Sequence, residues 1–293
     1  MPDGTGSGGG TVFAAVPTPF DSSGELDLAA ARRTFALCAA SLDGLFVAGT
    51  TGEFPALDDS ERLALISVAL EVAGPDRVIA HVGAPDARRA ARLAVAAAGL
   101  GATRIAAVTP YYSAPTPAEL SEYYTRVRDA VPAAALYAYF FPERSGVTVP
   151  VGLFSSLASA AGLTGAKLSG SAAALVGACA ATCPDVAVYS GDDSDLGGVL
   201  RAGGAGIISA RSAVFPEVYG ALAAALAAGD AEAAARLEAD VKSIVSLGES
   251  IGRFKEVLRQ RGFGPMAARM PASEPDPATA ARIGEVVKAL CAS

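Results

Sequence analysis

Short apolar runs rich in β-branched residues recur along the chain, and each is followed by a stretch rich in alanine and leucine. The first kind of run is typical of a buried strand and the second of a helix. Strands that alternate with helices predict a parallel sheet, because each helix carries the chain back so that the next strand runs in the same direction. The predicted strands are 12–16, 45–48, 78–82, 104–108, 134–140, 165–168, 186–189 and 206–209.

Eight such units at a spacing of roughly 25 residues predict an α/β fold, a closed (β/α)8 TIM barrel. A doubly wound sheet is the alternative, but no GxGxxG motif follows the first strand. Further helical patterns near 231–247, 249–262 and 278–291 exceed what a barrel needs, so we expect a C-terminal helical extension. The predicted organisation is a flexible N-terminus at 1–11, a barrel at 12–228 and the extension at 229–293.

Charge and hydropathy argue against two classes of partner. The formal net charge is −7, and no basic run interleaved with aromatic residues indicates a nucleic-acid surface. No apolar run reaches membrane-spanning length without a glycine or a charge. We therefore expect no nucleic-acid partner, no membrane partner and a cytoplasmic location.

The four cysteines do not have the spacing of a metal site. Cys179 and Cys183 are one helical turn apart, and no histidine or second cysteine pair completes a ligand set around them. We interpret them, together with Cys38 and Cys291, as reduced structural residues on helices, and we predict no metal.

One lysine is distinguished by its position. Lys167 is the only lysine in the first 241 residues and lies on a short apolar strand between glycines. Burial lowers the pKa of a lysine and leaves a nucleophilic amine near neutral pH, which is the chemistry of an imine with a carbonyl. The alternative is a side chain that extends its ammonium group into solvent. The other lysines, for which we expect exposed positions on late helices, are Lys242, Lys255 and Lys288.

The other unusual residues also follow predicted strands, and barrel enzymes place their chemistry at those ends. After the second strand, the hydroxyls of Thr50 and Thr51 and the backbone at Gly49 suit a small carboxylate, although an ordinary glycine-rich turn has the same composition. This convergence favours a catalytic Lys167. Further candidates at strand ends are Tyr112, Tyr139, Asp192 and Asp193.

The fifth strand carries two tyrosines. Tyr137 and Tyr139 are two positions apart and so point to the same side of the strand. The residues alone leave open whether one is a proton-transfer phenol in the barrel interior or both are packing residues. Arg144, in the loop that follows, is either a clamp for a second carboxylate or a solvated loop residue.

Four polar residues have structural interpretations. The only histidine, His81, has no acidic residue beside it and no GxSxG motif accompanies it, so we predict a core or lumen-lining histidine rather than a triad base. We interpret Glu53 as a helix-terminus or structural carboxylate. Asp192 and Asp193 are adjacent and point apart, so we predict a cap on the following helix rather than a metal site.

Together these motifs resemble the dihydrodipicolinate synthase / N-acetylneuraminate lyase family of pyruvate-dependent class I aldolases. The resemblance extends from about Val12 to about Phe263, and Lys167 on the strand after Tyr139 is part of it. The other motifs that carry it are Gly49-Thr50-Thr51-Gly52-Glu53, Val108-Thr109-Pro110-Tyr111-Tyr112, Tyr139-x-x-Pro142-x-Arg144-x-Gly146, Ser190-Gly191-Asp192-Asp193 and the run 203–209.

The resemblance implies the catalytic roles. Lys167 would form the imine with pyruvate, and Tyr139 would transfer protons to and from the imine and the aldehyde oxygen. Thr50 would hold the pyruvate carboxylate and take part in a proton relay, which Tyr112 would complete from a neighbouring subunit. No cofactor is implied beyond the covalent imine, and the implied assembly is a homotetramer built as a dimer of dimers.

The same resemblance implies the substrate-binding residues. Thr51 and Gly49 would belong to the carboxylate site of pyruvate, and Ile208 would line the pyruvate pocket. Arg144 is similar to the arginine that binds the carboxylate of aspartate semialdehyde in the synthase branch.

Two departures from the family pattern affect the substrate and the regulation. Phe140 and Phe141 follow Tyr139, where synthases usually carry asparagine after the tyrosine, so we expect a more apolar pocket for the second substrate. Pro85 and Arg89 stand where lysine-inhibited synthases usually have asparagine and glutamate, so we expect no feedback by lysine.

The expected function is a lyase that condenses pyruvate with a small aldehyde, or releases pyruvate from the product, like dihydrodipicolinate synthase. One alternative is a 2-keto-3-deoxy sugar-acid aldolase or dehydratase. An alternative of another class is a catalytically silent barrel that acts as a regulator or binding module. The sequence identifies neither the aldehyde nor the direction of the reaction.

Overall fold

The computed structural model describes residues 10–291, so the N-terminal segment predicted to be flexible lies almost entirely outside the described residues. Eight parallel strands pair in chain order, and the eighth pairs with the first to close a barrel. The (β/α)8 prediction is therefore confirmed, and the doubly wound alternative is wrong. The strands are β1 (Thr11–Ala15), β2 (Gly44–Val47), β3 (Val78–His81), β4 (Arg104–Val108), β5 (Ala135–Phe140), β6 (Gly165–Leu168), β7 (Ala187–Ser190) and β8 (Gly206–Ser209).

Closure of the barrel requires a glycine where β8 meets β1. Gly206 has a φ of 145°, which L side chains rarely adopt, and a Cβ there would clash with the carbonyl oxygen of Thr11. Gly206 lies directly opposite Thr11 in the β1–β8 register. The absence of a side chain thus lets the first and last strands approach closely enough to pair.

The strands separate two apolar layers. Alternate residues such as Val12 and Ala14 pack under the surrounding helices in the larger cluster, because successive side chains of a strand point to opposite faces. Their neighbours Phe13 and Ala15 point into the barrel interior. The interior cluster consists of Phe13, Ala15, Phe46, Phe54, Ile79, Ala106, Val108, Tyr137, Tyr139, Tyr189 and Ile208.

Helices follow the strands and cover the outside of the barrel. Two of them begin at a capping box, in which each of two residues accepts, with its side chain, a hydrogen bond from the backbone N–H of the other. The pairs are Asp58 with Glu61 and Thr116 with Glu119. The helices of residues 10–291 are α1 (Leu28–Ser41), α2 (Asp59–Ala73), α3 (Ala87–Gly99), α4 (Pro117–Ala130), α5 (Pro142–Ser145), α6 (Val151–Ala161), α7 (Val176–Thr182), α8 (Leu196–Arg201), α9 (Pro216–Ala228), α10 (Ala231–Val245), α11 (Ile251–Gln260) and α12 (Pro277–Cys291).

The alanine- and leucine-rich stretches of the sequence also predict helices at 171–182 and 193–202, and the structure differs from both at their starts. The predicted helix 171–182 is a 3-10 turn at Gly170–Leu175 followed by α7. The predicted helix 193–202 begins three residues later, because the carboxylate of Asp195, rather than Asp192 or Asp193, accepts a hydrogen bond from the N–H of Gly198 at 2.6 Å. The expected capping role of the two earlier aspartates at α8 is wrong.

The last three helices, α10 to α12, lie beyond the barrel, and α10 packs against α9. The division of the chain at residue 229 into barrel and extension stays a prediction. No helix among residues 10–291 is both long enough and apolar enough to cross a membrane.

Candidate active site

Three interior side chains lie side by side on neighbouring strands. In the sheet register Lys167 of β6 lies opposite Tyr139 of β5 on one side and Tyr189 of β7 on the other. The Nζ atom of Lys167 lies 4.7 Å from the centre of the Tyr139 ring and 4.9 Å from that of Phe46. The predicted nucleophile and the predicted phenol are therefore adjacent.

The Lys167 side chain is buried and does not extend into solvent, since the residue is only 6% exposed. Burial lowers the pKa of its amine to about 8, and the negative charges of Asp193 and Glu249 oppose this shift only in part. A substantial fraction of the amine is neutral near physiological pH. Such an amine can attack a carbonyl carbon and form an imine.

The hydroxyl of Tyr139 has a partner at the end of β2. It lies 3.1 Å from Oγ1 of Thr50, and either oxygen can donate. Burial raises the pKa of the Tyr139 phenol to about 12, against the opposing effects of hydrogen bonds with Thr50 and Ser169. The phenol is protonated at neutral pH and can donate a proton to an oxygen or nitrogen placed above Lys167. Ser169 is a neighbour that the sequence interpretation missed.

The turn after β2 approaches the interior closely. Gly49 is buried, and a Cβ there would lie 2.5 Å from the ring of Phe46. Thr50 and Thr51 are partly exposed. The N–H of Glu53 bonds the carbonyl of Thr50 at 3.0 Å, so the turn is compact and directs Thr50 towards Tyr139.

The two tyrosines after β4 have different surroundings. Tyr111 packs edge-on against Phe54 with ring centres 5.5 Å apart. Tyr112 has a φ of 79° and is fully exposed, so within one chain it does not join Thr50 and Tyr139. A left-handed conformation at a tyrosine is uncommon, and it directs this side chain away from its own barrel.

Of the two phenylalanines after Tyr139, only Phe141 lies near Arg144 and the Tyr139 ring. Arg144 lies on α5, exposed, with Cζ 5.6 Å from the Phe141 ring, and Phe141 packs 6.2 Å from the Tyr139 ring. Phe140 instead points outward and packs 6.1 Å from Phe154 under the helices. The expectation that both phenylalanines make the pocket apolar is therefore wrong for Phe140, because neighbouring strand residues face opposite sides.

Ile208 and one of the predicted aspartates, Asp193, lie at the ends of the neighbouring strands β8 and β7, whereas Asp192 is exposed. Ile208 is buried in the interior cluster. The carboxylate of Asp193 is buried and accepts a hydrogen bond from the Ser209 hydroxyl at 2.5 Å, and it forms an ion pair with Arg211. This ion pair, which the sequence interpretation missed, fixes a negative charge whose effect reaches Lys167.

Glu249 was also missed. It precedes α11, its side chain is largely exposed, and it lies 3.7 Å from Arg211. Its charge acts on both Lys167 and Tyr139, so the turn between α10 and α11 lies near the open end of the barrel. Nothing in the local sequence around Glu249 indicated this, since its partners come from β5, β6 and the loop after β8.

Lys255 is not the exposed helical lysine that the sequence predicted. It is 1% exposed, and its Nζ lies 2.5 Å from Oε1 of Glu53, which is itself fully buried. The other oxygen of Glu53 accepts the N–H groups of Arg269 and Met270 at 2.9 and 2.7 Å. Glu53 is thus a structural carboxylate, as predicted, and it joins the turn after Thr50 to the C-terminal segment.

All four cysteine thiols are unpaired, including the buried Cys38 and Cys179. Within the described range, 10–291, no group of three or more histidine, cysteine or carboxylate side chains is placed to hold a metal ion.

Known proteins share both this sequence and this fold. The model of the dihydrodipicolinate synthetase family matches residues 9–289. A 4-hydroxy-tetrahydrodipicolinate synthase of Mycobacterium leprae is 36% identical over 282 residues, which cover 94% of this chain and 92% of that protein.

Solved structures extend the similarity. A prophage protein of the dihydrodipicolinic acid synthase family from E. coli K12, solved in complex with pyruvate, has a TM-score of 0.88 at 27% identity, with 96% of this chain and 98% of that chain covered. A sialic acid aldolase of Ruminococcus gnavus shares the fold, with a TM-score of 0.88 at 20% identity and coverage of 97% and 96%.

Proposed function

The chain belongs to the dihydrodipicolinate synthetase family, and from that premise we propose that it is a class I aldolase acting through an imine on Lys167. It condenses pyruvate with a small aldehyde, or releases pyruvate from the product. The observation that carries the proposal is the buried Lys167 amine, with a pKa lowered to about 8, directly beside the Tyr139 phenol.

The reaction begins when the neutral amine of Lys167 adds to the pyruvate carbonyl. The Tyr139 phenol gives its proton to the departing hydroxide, so loss of water leaves a protonated imine and a phenolate. The phenolate takes a proton from the methyl carbon, and the imine nitrogen accepts the electron pair to give an enamine. The enamine carbon attacks the aldehyde carbonyl, and Tyr139 donates its proton to the new alkoxide. Water then adds to the imine as the phenolate takes a proton from it, and collapse of the adduct frees the Lys167 amine. Thr50, 3.1 Å from the phenol, holds the Tyr139 hydroxyl in place through these transfers.

Pyruvate lies with its carboxylate at the turn after β2. Thr50 and Thr51 supply hydroxyls there, and Gly49 lets the backbone approach the ligand closely. Ile208, buried in the interior, packs against the apolar side of pyruvate. Arg144, exposed on α5 near Tyr139, binds a carboxylate on the aldehyde, since its planar guanidinium matches a carboxylate with two parallel hydrogen bonds.

The proposal includes a homotetramer, built as a dimer of dimers in the cytoplasm. In it Tyr112 reaches the relay of a neighbouring subunit. Full exposure of a large aromatic side chain, held in an uncommon left-handed conformation, supports a partner surface at this loop. The unpaired cysteine thiols are those of a reducing compartment.

A second candidate is a 2-keto-3-deoxy sugar-acid aldolase or dehydratase, which uses the same imine. The exposed carboxylate of Glu249, 3.7 Å from Arg211 in the loop after β8, favours it, because a carboxylate can accept hydrogen bonds from sugar hydroxyls. A silent barrel that only binds or regulates is the less favoured reading, since it gives no reason for a buried amine beside a buried phenol.

A panel of aldehydes tests the proposal. Purified protein is incubated with pyruvate and aspartate semialdehyde, glyceraldehyde or N-acetylmannosamine, and loss of pyruvate is followed beside the Lys167→Met variant. We expect turnover with aspartate semialdehyde and none in the variant. Turnover with glyceraldehyde alone establishes the sugar-acid alternative. Absence of both turnover and a trapped pyruvate adduct contradicts the aldolase proposal.

A further inference from the structure

The imidazole of His81 bridges the ends of two strands. Its Nδ1 lies 2.7 Å from the carbonyl oxygen of Ala48, which follows β2. Its Nε2 lies 3.2 Å from the backbone nitrogen of Val108, the last residue of β4. His81 itself ends β3 between these strands and is completely buried. One side chain thus ties together three neighbouring strands at the end of the barrel that holds Lys167.

Nδ1 also lies 3.4 Å from a guanidinium nitrogen of Arg62, which is longer than the 2.7 Å to the Ala48 carbonyl, so the two shorter contacts determine the protonation of the ring. A carbonyl only accepts hydrogen bonds, so Nδ1 carries the proton towards Ala48. A backbone N–H only donates, so Nε2 offers its lone pair to Val108. Both bonds are present only in the neutral tautomer with the proton on Nδ1. A proton relay through His81 would break one of them, so the ring is not a base for the reaction.

The turn that His81 holds is strained. Ala48 has a φ of 56°, a left-handed conformation that is unfavourable for a residue with a Cβ. It comes immediately before Gly49 and Thr50, and it sets the direction in which the chain leaves β2. The bond from Nδ1 to the Ala48 carbonyl stabilises this conformation. The other bond fixes the end of β4, where the chain continues towards Tyr112.

We propose that His81 is a positioning residue, whose neutral imidazole holds the strained turn at Ala48 so that the Thr50 hydroxyl stays against Tyr139. The proposal deepens the aldolase function and rests on it for the catalytic readout only. The hydrogen-bond pattern and the rigidity of the turn are separate consequences that do not depend on any activity.

The surroundings of the ring keep it neutral. Phe54 packs edge-on at 4.7 Å, and Phe46 and Tyr139 lie 5.8 and 6.0 Å away between ring centres. The charged groups that face it are both cationic. Arg62, buried on α2, donates to the His81 carbonyl at 2.8 Å, and Lys167 acts from β6. Burial, together with these positive charges, holds the pKa of the imidazole well below its usual value.

Three variants separate positioning from loss of stability. His81→Phe keeps a ring and removes both bonds, whereas His81→Gln keeps one donor and one acceptor. Tyr124→Phe is the matched control, because it removes one buried bond to the β4 backbone, from the Tyr124 hydroxyl to the carbonyl of Ala107 at 3.2 Å, on the outer face. Each variant is measured for turnover, for the KM of pyruvate and for hydrogen exchange of the segment 48–54.

We expect His81→Phe to lower kcat/KM by about 10 to 10²-fold, the scale of a misplaced catalytic group, with the KM of pyruvate raised. His81→Gln recovers part of the loss, and Tyr124→Phe stays near wild type. Exchange of 48–54 is faster in His81→Phe than in Tyr124→Phe. Equal exchange rates of segment 48–54 in His81→Phe and Tyr124→Phe overturn the proposal. If the wild type is active, equal turnover of these two variants overturns it as well.

The wild-type protein provides a readout that needs no variant. His81 is the only histidine, so selective ¹⁵N labelling of histidine gives the signals of one imidazole. We expect a proton-bearing Nδ1 and an unprotonated Nε2 at pH 6 as well as at pH 8. A proton on Nε2, or an imidazolium at pH 6, overturns the proposal even if the variants fail to fold. Failure of the aldolase function alone leaves these ¹⁵N signals and the exchange rates unchanged.

Discussion

The hydroxyl of Tyr139 and Oγ1 of Thr50 lie 3.1 Å apart, although one side chain comes from β5 and the other from the turn after β2. Lys167 lies on the strand next to Tyr139, with its amine against the Tyr139 ring. A proton can therefore pass between the phenol and the threonine hydroxyl beside the lysine that we propose forms the imine.

Loss of the Tyr139 hydroxyl should slow turnover. Tyr139→Phe is expected to lower kcat by about 10²-fold or more, the usual effect of losing general acid–base catalysis, with folding intact. Tyr137→Phe is the matched control, since Tyr137 lies on the same face of β5 but opposite Gly165 rather than Lys167. If Tyr137→Phe is instead the slow variant, the proton-transfer role belongs two residues earlier.

The strand–helix order and the placement of Lys167 were predictable, because both follow from local patterns. Alternation of strand and helix predicted the barrel, and a barrel brings all strand ends to one site. The outward direction of Phe140 was also readable from its position next to Tyr139. The burial of Lys255 was not, because its carboxylate partner, Glu53, lies far away in sequence and only the folded chain brings the two together.

The pH dependence of stability tests the burial of the amine. The unfolded chain keeps the Lys167 proton to about pH 10.5, whereas the folded chain releases it above about 8. Between these two pH values the unfolded state binds more protons than the folded state, so the free energy of unfolding of the wild type rises with pH. The total rise over this interval is about 3 kcal/mol. The free energy of unfolding of Lys167→Met should therefore exceed that of the wild type by the largest amount below pH 8. This difference should shrink as the pH rises towards 10.5.

Chemical denaturation at a series of pH values measures this difference. Lys288→Met is the control, because Lys288 is exposed on α12. A Lys167→Met difference that follows the same pH course as that of Lys288→Met would show that the amine is not held in a desolvated setting.

The buried ion pair of Glu53 and Lys255 should contribute strongly to stability. Lys255→Met leaves a buried carboxylate without its cation and is expected to lower the free energy of unfolding by about 3–5 kcal/mol. The double variant with Glu53→Gln should recover part of this loss, because no charge remains buried there.

An exposed pair provides the comparison for that measurement. Arg32 and Glu71 also form a 2.5 Å ion pair, but both side chains are more than half exposed. Arg32→Ala should cost no more than about 1 kcal/mol. Equal losses for Arg32→Ala and Lys255→Met in thermal or denaturant unfolding would contradict the special role of the buried pair.

Arg144 should select aldehydes that carry a carboxylate. Arg144→Ala is expected to weaken their use by roughly 10 to 10²-fold, from about 1.5–3 kcal/mol for a lost charge-assisted bond. Capture of pyruvate should hardly change, because in the proposed site Thr50 and Thr51 bind that end. Arg92→Ala, an exposed arginine on α3, is the control. Equal losses in pyruvate capture and in aldehyde use would assign Arg144 a structural role. If neither step is weakened, Arg144 is a solvated loop residue.

The central claim, an imine on Lys167, is tested most directly by trapping it. The protein is incubated with pyruvate and borohydride, digested, and the modified peptide is identified by mass spectrometry. We predict one pyruvate-derived adduct per chain, on Lys167, because its amine is the one held beside Tyr139 with a lowered pKa of about 8. An adduct on Lys242, Lys255 or Lys288 instead, or an unmodified protein, would contradict the account.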